Sequence, residues 1–276
     1  MGNSQPQNRV GRKATAQKLE NAKKIGVLSL TGHELETVPA QLYSSDLRKL
    51  RTLDLSKNKL RSLEGIGCLL ELKSLNVEQN DLHAGALSGL ESCKKLQTLI
   101  ASRNQLGVST EGSSASQPLR LPSSLRSLAL ASNAFYAVPR DILSSSFSKL
   151  ERLDLSDNRL ASIPPELSLL INLNELVLDG NGIAFLPDEV GRLKKLKVLS
   201  LRNNRLTVTS TRFSESNPQP IPKSVFQETV LIDLNLHGNS MTNTQLNEFD
   251  GFQEFLDRRQ KVKSKTLTNL SVCGLS

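Results

Sequence analysis

The stretch Leu150 to Leu160, LERLDLSDNRL, decides the fold because its spacing recurs along the chain. Apolar residues stand at its first, fourth, sixth and eleventh positions, and asparagine stands at the ninth. The same register fits nine copies, which begin at Ile25, Leu50, Leu72, Leu96, Leu125, Leu150, Leu173, Leu196 and Leu231. One such match is weak evidence, whereas nine in register predict a repeat protein.

The steps between copies run from 22 to 35 residues, and most fit the period of roughly 20 to 29 residues that is typical of leucine-rich repeats. Each copy places apolar side chains on the inner face of a short strand that cannot cover them alone, so neighbouring copies must stack. We therefore predict an α/β fold, a leucine-rich repeat solenoid (a horseshoe) with a parallel β-sheet on its concave face. A helix is expected to cap each end.

The ninth position of the repeat is almost always asparagine. Its side-chain amide can satisfy backbone groups that a tight turn leaves unpaired. The residues at this position are Asn58, Asn80, Asn104, Asn133, Asn158, Asn181, Asn204 and Asn239, with His33 in the first copy. A ladder of ligand-binding amides is the alternative, but the fixed offset favours a scaffold role.

Composition and periodicity divide the chain into five segments. These are a flexible basic tail (1–12), an N-terminal capping helix (13–24), the repeats (25–243), a C-terminal capping helix (244–262) and a second basic tail (263–276). The last helix is predicted from one apolar face, formed by Leu246, Phe249, Phe252 and Leu256 with Phe255 beside them. Polar insertions at about 107–119 and 207–222 are expected to be solvent-exposed loops, although the second, which contains Phe213, also fits a partner-binding tongue.

The net charge of +8 is concentrated at the two ends. Residues 1–24 hold six cations and one acid, 6 − 1 = +5, and five cations follow Asp257 without an acid, which leaves 8 − 10 = −2 for the middle. Positive charge at the two ends suits binding to an anionic membrane surface, whereas nucleic-acid binding favours a continuous basic surface. Solvated tails are the alternative reading, and no nucleic acid partner is expected.

Three cysteines, Cys68, Cys93 and Cys273, form no paired framework, which indicates a reducing compartment. No apolar run approaches the roughly 20 residues of a spanning helix, and the start of the chain has no signal-peptide core. The sequence therefore predicts a cytoplasmic protein.

Both ends carry candidate lipidation sites. Gly2 follows the initiator methionine and is the acceptor for N-myristoylation, although Pro6 stands where the usual pattern has Ser or Thr. An ordinary disordered tail is the alternative. The last four residues fit a prenylation signal on Cys273, apart from the non-aliphatic Gly274. A lipid at either site predicts peripheral membrane association.

The chain resembles the family of leucine-rich repeat-containing protein fifty-seven, small intracellular proteins of eukaryotes. The resemblance is carried by the MGNS start, by ENAKKIGVLSL at Glu20 to Leu30, by the repeat array, and by the aromatic and lysine-rich ending from Asn247 to Lys265. It implies a myristoyl site at Gly2 and no catalytic residues. The two polar insertions depart from the family pattern.

These features predict a non-catalytic, monomeric adaptor that binds a protein on the concave face without a cofactor or metal. Side chains at the third, fifth, seventh and eighth repeat positions project from that face. The candidate partner-binding residues are Ile100, Arg103, Ala129, Arg152, Asp154, Asp157, Glu175, Val177, Asp179 and Arg202. They mix apolar spots with charges, as protein interfaces do.

Two other functional classes fit the same scaffold. One is an enzyme, which is disfavoured because His33, His83 and His237 fall in different repeats without a metal or triad spacing. The other is a regulatory subunit of a phosphatase, of a small-GTPase pathway or of an RNA-protein complex, without membrane attachment.

Overall fold

The computed structural model describes residues 17–83, 85–108, 118–208, 213 and 218–265. The chain forms two compact units, Met1–Leu125 and Arg126–Ser276. In each unit, coils of strand, turn and return segment repeat with the predicted period. The α/β leucine-rich solenoid fold is thereby confirmed.

The first unit begins with helix α1 over residues 17–25, followed by four three-residue strands. The strands are β1 Val27–Ser29, β2 Thr52–Asp54, β3 Ser74–Asn76 and β4 Thr98–Ile100. Each pairs in parallel with the next, and Leu28, Leu53, Leu75 and Leu99 stand in register. The return segments are short 3-10 helices, Ala40–Tyr43, Ser45–Leu47, Ile66–Cys68 and Leu90–Ser92.

The second unit has five parallel strands, paired in chain order. They are β5 Ser127–Ala129, β6 Arg152–Asp154, β7 Glu175–Val177, β8 Val198–Ser200 and β9 Asp233–Asn235. The return segments are the 3-10 helices Arg140–Ile142, Ser145–Phe147, Pro165–Leu169 and Asp188–Arg192, then helix α2, Lys223–Glu228. Helices α3, Asn243–Asn247, and α4, Phe252–Lys265, follow β9.

The core is built from the repeat leucines. In the sixth copy Leu150, Leu153, Leu155 and Leu160 are fully buried, and the equivalent residues of the other copies behave alike. The first copy is the exception, because Ile25 is 68% exposed. The sequence register places Ile25 inside, but α1 ends there and its buried Ala22 covers the first coil instead.

The predicted asparagine turns are present, and seven of the amides also donate to a carbonyl of the preceding coil. These are the amides of Asn58, Asn80, Asn104, Asn158, Asn181, Asn204 and Asn239. The Nδ2 of Asn58 donates to the carbonyls of Leu55 and Leu30, at 2.8 and 2.9 Å, while its Oδ1 accepts from the backbone of His33 and Leu35. The residue before each asparagine has a left-handed backbone, with φ of 56° at Lys57. The asparagine therefore ties neighbouring coils together as well as turning the chain.

The C-terminal cap differs from the single helix predicted over 244–262. A capping box at Thr242 and Gln245 starts α3, and the helix is interrupted before α4. Gly251, with φ of 84°, lies in the break, where a Cβ would stand 3.2 Å from the carbonyl oxygen of Lys223. Glycine therefore suits both the left-handed backbone of the break and its close approach to α2. Helix α4 also continues through Lys265, into the segment predicted as tail.

The described residues of both insertions include side chains that pack into the protein. Leu119 is 1% exposed. The Phe213 ring meets the Phe249 ring edge-on at 5.4 Å, and Gln219 Oε1 accepts from the backbone N–H of Asp250 at 3.0 Å. Residues 109–117, 209–212 and 214–217 lie outside the described residues, so the predicted loops are described only at their ends.

Candidate functional site

The open face of the second unit consists of the side chains at the third, fifth, seventh and eighth repeat positions of β5–β9. Along each strand the central residue is buried, as Leu153 and Leu176 are, and its two neighbours point outward because strand side chains alternate. The short strands therefore fix two rows of outward side chains across the sheet.

The first row contains the only ion pair between described strand residues of this face. Register aligns Ser127, Arg152, Glu175, Val198 and Asp233. A guanidinium nitrogen of Arg152 contacts Oε1 of Glu175, and their side chains are 44% and 27% exposed. These two predicted residues therefore neutralise each other in the free protein.

Two aspartates of the face are held by local hydrogen bonds. Asp154 Oδ1 accepts from the backbone N–H and the hydroxyl of Ser156, at 3.0 and 2.7 Å. Asp179 Oδ1 accepts from the Ser200 hydroxyl at 2.6 Å and from the backbone N–H of Arg202 at 2.8 Å. Both carboxylates are thus fixed in orientation, which lowers the entropy cost of using them in recognition.

Asp157 stands at a left-handed position, with φ of 52°, and its carboxylate lies over the next coil. A Cβ built on Gly180 would be 2.3 Å from Asp157 Oδ1. The Asp157 side chain can therefore lie over the next coil only because residue 180 is a glycine. The same arrangement recurs one coil later, where Asn203 Oδ1 lies over Gly238.

Eight of the ten residues predicted to bind a partner lie in the second unit. Ile100, on β4, and Arg103 lie in the first unit, where the Arg103 Nε is 3.6 Å from Glu78 Oε1. Each unit therefore carries its own part of the predicted set.

Sequence reasoning missed Val198, which the register brings beside Glu175 and one row from Val177. Both valines are half-buried, and Val177 lies two register positions along from Glu175, the partner of Val198, so the valines are diagonal neighbours on one face. We call this pair the apolar spot. The signal was available, since Val198 occupies the third repeat position.

Tyr136 and Phe185, 67% and 55% exposed, were also missed, because they stand outside the regular positions. The Arg159 guanidinium lies 5.3 Å from the Tyr136 ring.

Each unit also has one open cavity of note. In the first, about 660 Å³ is lined by charged and small residues together with Tyr43, whose hydroxyl donates to the Glu64 carbonyl at 2.6 Å and whose pKa is raised by burial. In the second, about 500 Å³ lies beside Phe185 and Phe213.

Among the described residues, no group of three or more His, Cys, Asp or Glu is placed to hold a metal ion.

The predicted lipidation residues, Gly2 and Cys273, lie outside the described residues, as do tail residues 1–12. No described helix combines the length and the apolarity needed to cross a bilayer.

Comparison with known proteins agrees with the repeat architecture. A family model described as Leucine Rich Repeat matches residues 49–69 and 149–170. Plant intracellular Ras-group-related LRR protein 8 of Oryza sativa subsp. japonica is 33% identical over 263 residues, which is 90% of this chain and 61% of the relative. Leucine-rich repeat serine/threonine-protein kinase 1 of Mus musculus is 32% identical over 145 residues, 52% of this chain and 7% of the kinase. The chain thus spans less than two thirds of the length of these curated relatives.

Solved structures show the same fold. An internalin from Listeria monocytogenes superposes with a TM-score of 0.62 at 22% identity, over 84% of this chain and 61% of the internalin. The plant peptide hormone receptor RGFR1 in complex with RGF2 gives 0.53 at 25% identity, over 75% of this chain and 34% of the receptor. The spacing of the copies, the parallel strand stacks and these matches together show that the chain is built from leucine-rich repeats.

Proposed function

We propose that this chain is a non-catalytic scaffold that binds a protein partner through the open face of the second unit. The observation that carries the proposal is the pair Val177 and Val198, an apolar spot surrounded by side chains with fixed orientations. An apolar centre inside a polar rim is the arrangement in which interface residues contribute most to binding. Proteins with this fold generally serve as interaction modules rather than as enzymes.

The charge of the open face predicts the chemistry of the partner. Its acids are Asp154, Asp157, Glu175, Asp179 and Asp233, and its bases are Arg152 and Arg202, which gives 2 − 5 = −3. Because complementary potential steers association and excludes wrong partners, we expect a partner segment with net positive charge and an apolar anchor. The structurally similar plant peptide hormone receptor RGFR1, which is in complex with RGF2, supports the use of this fold in peptide recognition.

The second part of the proposal is attachment to a membrane through myristoyl-Gly2, with prenyl-Cys273 as a second anchor. It is supported by the MGNS start and by the resemblance to the family of leucine-rich repeat-containing protein fifty-seven. One myristoyl chain gives only marginal binding, with an association constant of about 10⁴ M⁻¹, so a second signal is required. The basic segment that follows Gly2 supplies one, at roughly 1 kcal/mol per cation near an anionic surface.

The protein-binding part is tested with Arg152→Glu combined with Val177→Asp, which changes the charge of the open face and removes half of the apolar spot. The matched control is Lys149→Glu with Ile171→Asp, the same chemical changes at exposed positions away from that face. Affinity purification from cytosol, followed by mass spectrometry, should lose its partners with the first variant and keep them with the control. Equal partner sets from both variants would rule out the open face.

The attachment part is tested by the intact mass of protein made in eukaryotic cells. We expect a myristoyl increment that disappears in Gly2→Ala, together with a shift of the protein from the membrane fraction to the cytosol. A Cys273→Ser variant reports a prenyl increment in the same way. Wild-type protein without either increment would refute lipid attachment and leave the protein-binding proposal intact.

A further inference from the structure

One edge of the first unit is strongly basic. It consists of the two residues before and the one after the first leucine of the copies that begin at Leu50, Leu72 and Leu96. The cations at these positions are Arg48, Lys49, Arg51, Lys73, Lys94 and Lys95, and we call this set the basic edge. Glu71 is the one acid at these positions, so the net charge is 6 − 1 = +5. All six cations are exposed.

The backbone brings these residues side by side on neighbouring coils. The N–H of Lys73 donates to the carbonyl of Arg51 at 2.8 Å, and the N–H of Gln97 donates to the carbonyl of Lys73 at the same distance. Adjacent parallel strands lie about 4.8 Å apart, so cations that are 22 to 24 residues apart in sequence become near neighbours. The basic edge is therefore a continuous surface.

Most of this charge is uncompensated within the part of the chain that the structure describes. Of the six cations, Lys95 alone has an ion pair there, with Glu71 at 2.6 Å. The hydrogen bond from Lys95, together with the nearby charges of Arg51 and Lys73, holds the pKa of Glu71 below its ordinary value. A single carboxylate that already faces three cations leaves the surface attractive to external anions.

Two exposed apolar side chains accompany the cations. Leu70, which directly precedes Glu71, is 56% exposed, and Ile25, next to the Gly26 carbonyl that accepts from the Arg51 N–H, is 68% exposed. Cations beside exposed aliphatic side chains suit a lipid interface, where the charges meet headgroups and the aliphatic groups leave water. Single-stranded nucleic acid instead favours aromatic stacking residues, and the nine positions that define the edge include none.

The corresponding edge of the second unit is a weaker candidate. Its cations are Arg126, Lys149, Lys194, Lys195 and Lys197. Three of them already have partners, since Arg126 pairs with Glu151, Lys194 with Glu228, and Lys195 with the Asn172 side chain. The unpaired charge is thus greater in the first unit.

We infer that the basic edge is a membrane-facing surface that binds anionic phospholipid headgroups, with Leu70 and Ile25 entering the interfacial region. The inference deepens the proposed function and rests on it in placing the chain at a membrane. It adds a signal from the folded protein to the one that the basic segment after Gly2 supplies.

The test uses full-length protein made without acylation, because lipid attachment then plays no part in the result. Wild type should bind vesicles of phosphatidylserine and phosphatidylcholine at about 0.15 M salt, and should bind pure phosphatidylcholine weakly. The variant Arg48→Gln, Lys49→Gln, Lys73→Gln should lower the partition coefficient on the order of a hundredfold. Its matched control, Lys57→Gln, Lys59→Gln, Arg61→Gln, removes three exposed cations elsewhere in the same unit and should stay within about threefold of wild type.

A second variant, Leu70→Gln, separates the apolar contribution from the charge. We expect severalfold weaker vesicle binding, with a difference from wild type that persists at about 1 M salt, where the contribution of the cations is screened. Circular dichroism checks that each variant is folded.

Two outcomes would overturn the inference. The first is an edge variant that binds as wild type does, or a control that loses as much, since binding would then come from the tails or from net charge alone. The second is a preference of wild type for single-stranded RNA over the anionic vesicles, which would make the edge a nucleic-acid surface. Neither outcome depends on whether Gly2 is acylated. The vesicle test can therefore refute the basic edge, and the intact-mass test can refute lipid attachment, each without the other.

Discussion

At the residue scale, the ninth-position asparagines connect the coils in a way that the repeat pattern only partly predicts. The pattern indicates a turn, and the amide of Asn158 does satisfy its own turn by donating to the Leu155 carbonyl at 2.9 Å. The same group also donates to the Leu130 carbonyl, and its Oδ1 accepts from the backbone N–H groups of Asn133 and Phe135. These contacts with the preceding coil depend on how the coils stack, which one copy of the motif does not specify.

We expect Asn158→Ala to lower the free energy of unfolding by about 3 kcal/mol or more, because it leaves buried N–H and carbonyl groups without partners. Urea unfolding followed by circular dichroism measures the loss. Asn235→Ala is the control, since the Asn235 side chain accepts one 3.3 Å hydrogen bond on the open face, and its loss should cost less than about 1 kcal/mol. Similar losses in the free energy of unfolding of the two variants would contradict a stabilising role for the hydrogen bonds from Asn158 to the preceding coil.

A second residue-scale prediction concerns Cys93, which is fully buried. Burial raises the pKa of its thiol to about 11. In a Cys68→Ser, Cys273→Ser background, an alkylating reagent at about pH 8 should leave the native protein unlabelled and label it after unfolding, because the thiolate is the nucleophile. The folded-state pKa lies above that of the unfolded chain, so stability should fall as pH rises from about 9 towards 11. Rapid labelling of the folded protein at pH 8 would contradict this account.

At the element scale, the strands were predictable and the C-terminal cap was predictable only in part. Apolar residues at fixed repeat positions determine each strand, whereas the cap depends on one close contact with α2. Helical periodicity assigns Leu256 to the apolar face with Phe255 beside it, but in α4, after the break at Gly251, Phe255 is fully buried and Leu256 is only half-buried. No periodic pattern signals that contact in advance.

The rings of Phe226, Phe252 and Phe255 form the aromatic cluster of this cap, with centroids 5.6 to 6.2 Å apart. We expect Phe255→Ala to cost about 3 to 5 kcal/mol, because it opens a cavity between α2 and α4. Leu256→Ala, on the half-buried side of the same helix, should cost less than about half as much. Thermal unfolding of the two variants checks this order. A greater loss of stability for Leu256→Ala would contradict the packing described here and favour a single uninterrupted helix with Leu256 on its buried face.

The candidate site shows the same division between what a pattern determines and what contacts determine. The repeat register places Arg152, Glu175 and Val177 on the outward rows. It does not reveal that Arg152 and Glu175 pair with each other, or that Asp179 is held by Ser200 of the next strand. Those contacts arise between copies, and they leave the two valines and the unpaired acids as the groups available to a partner.

At the scale of the whole molecule, repeat architecture limits how far a local defect spreads. Each coil contacts mainly its sequence neighbours, as the ordered pairing of β1–β4 and of β5–β9 shows. The stability of such an array is approximately a sum of coil and interface contributions. A core substitution should therefore weaken its own unit first.

Hydrogen exchange resolves this locality. Leu53 and Leu199 are buried repeat leucines on β2 and β8, one in each unit. Replacement of either by alanine should cost about 2 to 5 kcal/mol, which accelerates amide exchange in the neighbouring coils by at least about 30-fold. We expect Leu53→Ala to accelerate exchange across β1–β3 and to leave β8 and β9 nearly unchanged, while Leu199→Ala should do the reverse. A uniform acceleration along the chain in both variants would show that the protein unfolds as one cooperative block, and the additive account of its stability would then be wrong.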